Sequence, residues 1–311
     1  MKIVFMGTPE FAVPSLQKLI DNGYKPVAVV TGKDKPQGRG LQLKSTPVKE
    51  VAVNNQIEHI FEPDDLKSDE IYSQLKNLDA DLFVVVAFKI LPERIFSLPK
   101  KGSFNLHSSL LPKFRGAAPI QWALLTGETE TGVTTFFLQP SVDTGNMIAQ
   151  KKIPVSSTLT GSELHDQLSL LGADLVLETV QNIEKGTVST QKQDESLVSK
   201  APKIKKEDPK ISWTEPGEKI KNHIRAFDSH PGAFAFLDSK MVKLFKVDFQ
   251  TSSDYSEKTD GEIVLIDKQF IGIKVRDGIL KIGELQLEGK KKLAVQQFLN
   301  GYPLKTGQIL K

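Results

Sequence analysis

The 311-residue chain contains no cysteine. Disulfides, thiolate metal sites and thiol nucleophiles are therefore excluded. Histidine is scarce, at five residues, and no two stand at a spacing such as H-x-x-x-H. No structural metal is expected. The motif G-x-S-x-G is absent, so acyl-enzyme chemistry lacks its nucleophile elbow. Also missing is G-x-G-x-x-G. The first turn reads Gly7-Thr8-Pro9-Glu10-Phe11, and Pro9 with Glu10 would crowd and repel a pyrophosphate, which argues against a dinucleotide oxidoreductase. No apolar run approaches the ~20 residues of a membrane span. The opening Met1-Lys2-Ile3-Val4-Phe5-Met6-Gly7 has the pattern of neither a signal nor a transit peptide. The cytoplasm is the expected compartment, and with no interface signal a monomer is the expected state.

What is present suits an ordinary globular protein: 39% apolar and 25% charged residues. The length suggests two domains. Net charge is only +3, so the placement of charge matters more than its total. Apolar strand-like runs alternate with helical periodicity through the first half. They are Lys2–Met6, Pro26–Thr31, Leu82–Phe88, Ser103–His107 and Val133–Leu138. This pattern predicts an α/β fold, a Rossmann-like domain with a mostly parallel sheet, over residues 1–186. Thr187–Lys210 is polar, without apolar period, and reads as a linker. One helix is expected over Trp213–Phe227. Five short strand-like runs follow: Ala233–Leu237, Met241–Phe249, Gly261–Ile266, Phe270–Val275 and Ile279–Leu287. They predict a small OB-like β-barrel over residues 211–311.

The most informative segment is Gly102-Ser103-Phe104-Asn105-Leu106-His107-Ser108-Ser109-Leu110-Leu111-Pro112. A strand's period of two puts Asn105 and His107 on one face and Phe104 and Leu106 on the other. Ligands of open parallel sheets bind beyond the carboxyl ends of the strands, where His107 falls. An Asn there can donate to a developing oxyanion, and a His can move a proton near neutral pH. Taken alone, N-x-H is more often a turn cap and a satisfied core histidine. A second segment, Gln139-Pro140-Ser141-Val142-Asp143-Thr144-Gly145, follows another strand. Asp143 is thereby expected at the same edge, where a carboxylate would orient the imidazole and favour its charged form. An Asx-turn is the plainer alternative.

A third candidate is the loop Thr31–Lys49. It carries Lys33, Lys35, Arg39, Lys44 and Lys49 against Asp34 alone, around Gly38-Arg39-Gly40. Such a loop suits phosphate contacts, although a solvated lysine-rich loop has the same composition. Lys203, Lys205 and Lys206 in the linker would extend a basic track.

These segments resemble the folate-dependent formyltransferase family. The resemblance rests on F-M-G-T-P-E-F-A-V-P, on F-N-L-H-S-S-L-L-P-K-F-R-G-A-A-P-I-Q-W-A and on E-T-G-V-T-T-F-F-L-Q-P-S-V-D-T-G, in that order. A looser match, I-R-A-F-D-S-H-P-G-A-F, opens the family's C-terminal domain. The resemblance implies 10-formyltetrahydrofolate as donor and no metal. It also implies the methionine amine of initiator Met-tRNA as acceptor. Asn105, His107 and Asp143 align with the family's catalytic residues, and Ser109, Leu110, Leu111 and Pro112 with its folate-binding segment. Phe88 and Leu91 belong to a loop that borders the pterin pocket. Here that loop reads Ala87-Phe88-Lys89-Ile90-Leu91-Pro92, one residue shorter than the common A-F-G-x-I-L-P. The basic loop around Arg39, with Lys35 and Lys44, aligns with the part that meets the tRNA acceptor stem.

Two rival functions remain distinct. A non-catalytic RNA-binding module would explain the basic loop and barrel but not Asn105, His107 and Asp143 together. A folate-dependent N-formyltransferase acting on a nucleotide-linked amino sugar, on glycinamide ribonucleotide or on water would share the first domain and differ in the second.

Overall fold

Ile3–Gly7 and Leu82–Val86 are five-residue strands buried at every position. Strands covered on both faces do not alternate in polarity, which is why they read as continuous apolar runs. They pair with each other in parallel, Phe5 against Val84. The computed structural model describes residues 1–37, 42–228 and 231–311. Seven strands form the first sheet, in the order Met147–Pro154, Glu130–Phe137, Ser103–His107, Leu82–Val86, Ile3–Gly7, Ala28–Val30 and His59–Phe61. The last five are mutually parallel. Glu130–Phe137 runs antiparallel to Ser103–His107. Strand order reverses between Ile3–Gly7 and Leu82–Val86, the switch point where open α/β sheets form a ligand crevice. Thr46 and Ser68 accept backbone N–H bonds at the starts of the helices Pro47–Asn54 and Asp69–Asn77.

Two units divide the chain. The first comprises Met1–Pro119, Glu130–Ile153 and His165–Pro202; the second, Ile120–Thr129, Pro154–Leu164 and Lys203–Lys311. Residues 187–202, expected within a linker, thus belong to the first unit. Gln191 exchanges backbone hydrogen bonds with Met147, and Lys200–Ala201 pairs in parallel with Arg115–Gly116. The segment lacks apolar periodicity because polar groups hold it.

The second unit is antiparallel. Its sheet runs Phe234–Leu237, Lys240–Thr251, Gly278–Leu287, Ile271–Val275 and Ile263–Ile266, close to the five expected strands, and the short Leu293–Ala294 pairs beside Gly278–Leu287 as a sixth. Among the described residues the two outer strands do not pair with each other. The end of the chain bridges them: Gln308 accepts from Ile263 N–H, while Lys311 and Phe236 exchange both backbone bonds, at 2.7 and 2.8 Å. The sheet is closed into a barrel by this tail, around a core that includes Leu244, Ile273, Ile282 and Leu310. The preceding helix spans Gly217–Ala226, shorter than the expected Trp213–Phe227. Pro216 stands at its N-cap position without a side-chain bond, Gly217 N–H donates to Asp277 Oδ1 instead, and Trp213 enters the core ahead of the helix.

Candidate active site

Ser103–His107 places its residues as the period of two requires. Phe104 and Leu106 are buried, Asn105 is half-buried, and His107 is 6% exposed. The Asn105 carboxamide has no hydrogen-bond partner among the described residues. His107 Nε2 lies 2.9 Å from the carbonyl oxygen of Phe114. A carbonyl only accepts, so Nε2 is the nitrogen that carries the proton. In the neutral ring Nδ1 is then the lone-pair nitrogen. It lies 3.8 Å from Asp143 Oδ2, within ion-pair reach once the ring is protonated. The carbonyl of Phe114, rather than Asp143, therefore orients the imidazole.

Asp143 arrives by an unexpected route. Its preceding strand is antiparallel, so Phe137 lies beside Phe104, at the amino edge of the parallel strands. The loop from Leu138 to Gly145 doubles back to bring the carboxylate to His107. Three features hold it there. Asp143 itself has φ +55°, in the left-handed region, which Asp tolerates better than most residues. Gly145 packs directly on the carbonyl of Phe137, where any Cβ would collide. Gly116 N–H donates to Asp143 Oδ2 at 2.9 Å, and Gly116 has φ +130° and abuts the carbonyl of Ala201.

Residues that sequence reasoning missed surround this turn. Gln193, 3% exposed, donates from Nε2 to the carbonyls of Asp143 and Gly145, at 2.8 and 2.9 Å. Its Oε1 accepts from Arg115 Nε and Nη2, at 3.0 and 2.8 Å. Arg115 also donates to both carboxylate oxygens of Glu195, and that bonding holds Glu195 below the usual carboxylate range. Ser199 Oγ accepts from Phe114 N–H at 2.9 Å. One signal was available: Gln193-Asp194-Glu195 is polar in a chain segment with no period, the composition of a hydrogen-bonded strap as much as of a linker.

The expected folate segment is tightly built. Ser109 is fully buried and donates to the Lys113 carbonyl at 2.6 Å. Leu111 is buried with Phe136 and Met147. Its N–H donates to Thr134 Oγ1, and its carbonyl accepts from Gln150 Nε2. The Leu111–Pro112 peptide is cis. Leu91 is likewise in the core, beside Phe83 and Ile95. Ser109, Leu111 and Leu91 thus build the wall of the site more than they project into it. Phe88 is only partly buried. It lines a cavity of about 660 Å³ at the switch point, with Thr8, Pro9, Gly32, Thr46, Ala87 and Lys89 among the other walls.

The basic loop is less free than its composition implies. Lys33 pairs with Asp64 at 2.6 Å. Lys49 lies between Glu62 and Asp34, at 2.8 and 2.9 Å, and both bonds raise its pKa. Lys44 is exposed and lines the same cavity. Arg39 and the side chain of Lys35 lie outside the described residues. In the second unit Lys203, Lys205 and Lys206 are exposed, with no ion-pair partner among the described residues. Among those residues there is also no cluster of side chains able to hold a metal ion, and no helix is long and apolar enough to cross a membrane.

Comparison with known proteins gives a consistent result. Residues 1–180 match the formyl transferase family model, and residues 203–303 match the model of the formyl transferase C-terminal domain. A methionyl-tRNA formyltransferase of Geobacter metallireducens is 43% identical over 308 residues, 99% of this chain and 97% of that protein. One from Citrifermentans bemidjiense is 44% identical over 311 residues, 100% of this chain and 96% of that protein. Among solved structures, an N-formyltransferase from Helicobacter canadensis, in complex with folinic acid and dTDP-3-aminofucose, superposes with a TM-score of 0.69. It is 24% identical, covering 94% of this chain and all of that one, and so shares the fold. With both of its units matched, and with that identity to relatives spanned almost end to end, the chain belongs to the formyl transferase family.

Proposed function

We propose that this protein transfers a formyl group from 10-formyltetrahydrofolate to the amino group of initiator methionyl-tRNA. The acceptor is supported by the full-length relatives of that name, at 43 and 44% identity. The chemistry is carried by one observation: an unpartnered Asn105 carboxamide on the same strand face as a buried His107 whose Nδ1 faces Asp143.

The donor supplies the formyl carbon and, as its C–N10 bond breaks, N10 takes up the proton that the amine loses. Asn105 donates N–H to the formyl oxygen as that oxygen gains charge in the attack. Such a donor contributes about 2.7–4 kcal/mol to the transition state. His107 Nδ1 receives the proton of the attacking amine and passes it on towards N10. Asp143 Oδ2, held by Gly116 N–H, stabilises the ring while it is charged. Nε2 stays bound to Phe114 throughout, so the ring does not turn between the two transfers. Nothing in the sequence calls for a covalent enzyme intermediate. Phe88, Leu91 and the segment Ser109, Leu110, Leu111 and Pro112 form the folate side of the site. Lys35, Arg39 and Lys44, with Lys203, Lys205 and Lys206, are the cations we assign to the tRNA phosphates.

Labelled formyl-folate offered in parallel with initiator Met-tRNA, elongator Met-tRNA and a nucleotide-linked amino sugar tests the reading. Formylation of initiator Met-tRNA at least tenfold faster than the others is expected. Preference for the amino sugar would replace the acceptor, and no transfer to any of them would overturn the chemistry.

A further inference from the structure

We propose that Gln193 is a positioning residue for Asp143, a role that rests on the part assigned to Asp143 above. One carboxamide ties together the two backbone segments that present the carboxylate. Its two N–H groups go to the carbonyls of Asp143 and Gly145, at 2.8 and 2.9 Å. Its oxygen accepts two N–H bonds from Arg115. Arg115 is followed directly by Gly116, whose N–H binds Asp143 Oδ2 at 2.9 Å. Gln193 thus reaches Asp143 twice, once through the turn that carries it and once through the strand that holds its side chain.

The geometry requires an amide at this position. Asp143 sits at φ +55°, a conformation that persists for a non-glycine residue when its surroundings over-determine it. Gly145 in the same turn packs on the carbonyl of Phe137, and the carbonyls of residues 143 and 145 would be unpaired near a buried residue without a donor. Gln193 is 3% exposed, so water cannot readily replace its bonds. A carboxylate of the same shape would still accept from Arg115 through one oxygen, but its other oxygen would stand in place of Nε2, against both carbonyl oxygens. A structural role exercised through Arg115 alone would survive that exchange; the positioning of Asp143 would not. The displacement expected is small, yet the Asp143–His107 separation is already 3.8 Å, and a further ångström removes much of a short-range pairing.

The test is a double-mutant cycle on the full chain with Gln193→Glu, Asp143→Ala and both together. Single-turnover rates, steady-state KM for both substrates and thermal midpoints are measured. Gln193→Glu is expected to lower the chemical rate more than fivefold, with KM for each substrate within twofold. In the Asp143→Ala background the same exchange is expected to change the rate less than twofold, because the residue it serves has gone. A loss below fivefold in the wild-type background overturns the role, as does an equal loss in both backgrounds. If Asp143→Ala alone keeps near-normal turnover, the assignment of Asp143 fails, and the role of Gln193 with it. A loss in Asp143→Ala with none in Gln193→Glu leaves Asp143 in place and removes Gln193. Should Gln193→Glu fail to fold, Gln193→Met, of similar length and uncharged, enters the same cycle under the same criteria.

Discussion

His107 Nε2 lies 2.9 Å from the carbonyl oxygen of Phe114, and that contact decides which ring nitrogen carries the proton in the neutral ring. With Nε2 committed as donor, Nδ1 is left to face Asp143 and, in the proposed mechanism, to take the proton of the incoming amine. The Phe114 carbonyl is itself fixed, because Phe114 N–H donates to Ser199. His107→Gln places an amide nitrogen near the position of Nε2 and nothing at Nδ1. It should keep the bond to Phe114 and the fold while lowering kcat by about 10²–10⁴, the usual contribution of a general acid–base group. His107→Asn reaches towards Nδ1 and loses the anchor. Steady-state rates of both variants, with circular dichroism for folding, check this. Turnover within tenfold of wild type in His107→Gln would remove the proton-transfer role.

Asn105 gives an opposite balance of activity and stability. Its carboxamide makes no hydrogen bond among the described residues, so its removal breaks nothing in the free protein. Asn105→Ala should therefore shift the thermal midpoint by less than about 2 °C, the range of a change within ±0.5 kcal/mol at a site without partners. The same change should lower kcat by about 10²–10³. A large loss of stability would mean that Asn105 is a structural residue. An unchanged kcat would move the oxyanion contact elsewhere.

Parts of this site were legible in the sequence for reasons that can be stated. The common face of Asn105 and His107 follows from the strand period, which is local and strict. Asp143 was expected at the carboxyl edge because it follows a strand. That strand is antiparallel, and only the doubling back of the loop restores the proximity. Family resemblance carried the residue where the geometric argument did not. Gln193 was illegible because its partners lie about fifty and eighty positions away, and a single hydrogen-bonding side chain leaves no periodic trace. The barrel strands were readable from apolar runs and turns, whereas the tail that closes them, at Gln308–Lys311, is too short to give a strand signal.

The exposed lysines predict a salt response. Each phosphate contact adds about 0.7–0.9 to the slope of log affinity against log salt, depending on whether the nucleic acid is single- or double-stranded. Lys203, Lys205 and Lys206 are exposed in the second unit. Replacing all three with Gln should lower the slope for Met-tRNA binding by about 2, if each meets one phosphate. Lys33 and Lys49 are already paired with carboxylates, so Lys33→Gln should leave the slope almost unchanged. Filter-binding titrations at several salt concentrations distinguish the two groups. Equal slopes in the triple variant and wild type would take these three lysines out of the tRNA interface.

His223 makes the second unit sensitive to acid. Burial pushes its pKa down, against smaller upward contributions from a backbone hydrogen bond with Pro209 and from Asp208. Its Nε2 is buried without a hydrogen-bond partner among the described residues. The unfolded chain binds the proton near pH 6.5, while the folded chain resists it to lower pH. Over that interval the unfolded state holds more protons, so stability falls as pH falls, by at most about 1.4 kcal/mol per pH unit. The loss ends below the folded-state value. His223→Asn, which retains an amide near Nδ1, should flatten the dependence between pH 7 and 5.5. Thermal midpoints across that range test it, and an equal slope in both proteins would assign the acid sensitivity to other groups.

Barrel closure by the tail gives the most local prediction. Four residues join two strands that would otherwise be edges: Ile263 N–H binds Gln308, Leu310 N–H binds the Gly261 carbonyl, and Phe236 and Lys311 exchange both bonds. Leu310 is 2% exposed in the core of the second unit. Leu310→Ala should cost about 2–5 kcal/mol, as buried leucines do when truncated. Deletion of Gln308–Lys311 removes the backbone bonds as well, leaving the outer edge of Ile263–Ile266 without its Gln308 bond and that of Phe234–Leu237 held only at Phe234, by Pro209 and Ile211. Hydrogen exchange separates these effects. In the deletion the amides of Phe236 and Ile263 should lose protection first, whereas that of Ile273, paired across to Leu280 in the middle of the sheet, should follow only global unfolding. If Phe236 and Ile263 exchange no faster than Ile273 after the deletion, the tail is not what closes the barrel, and direct pairing of the outer strands would have to take its place.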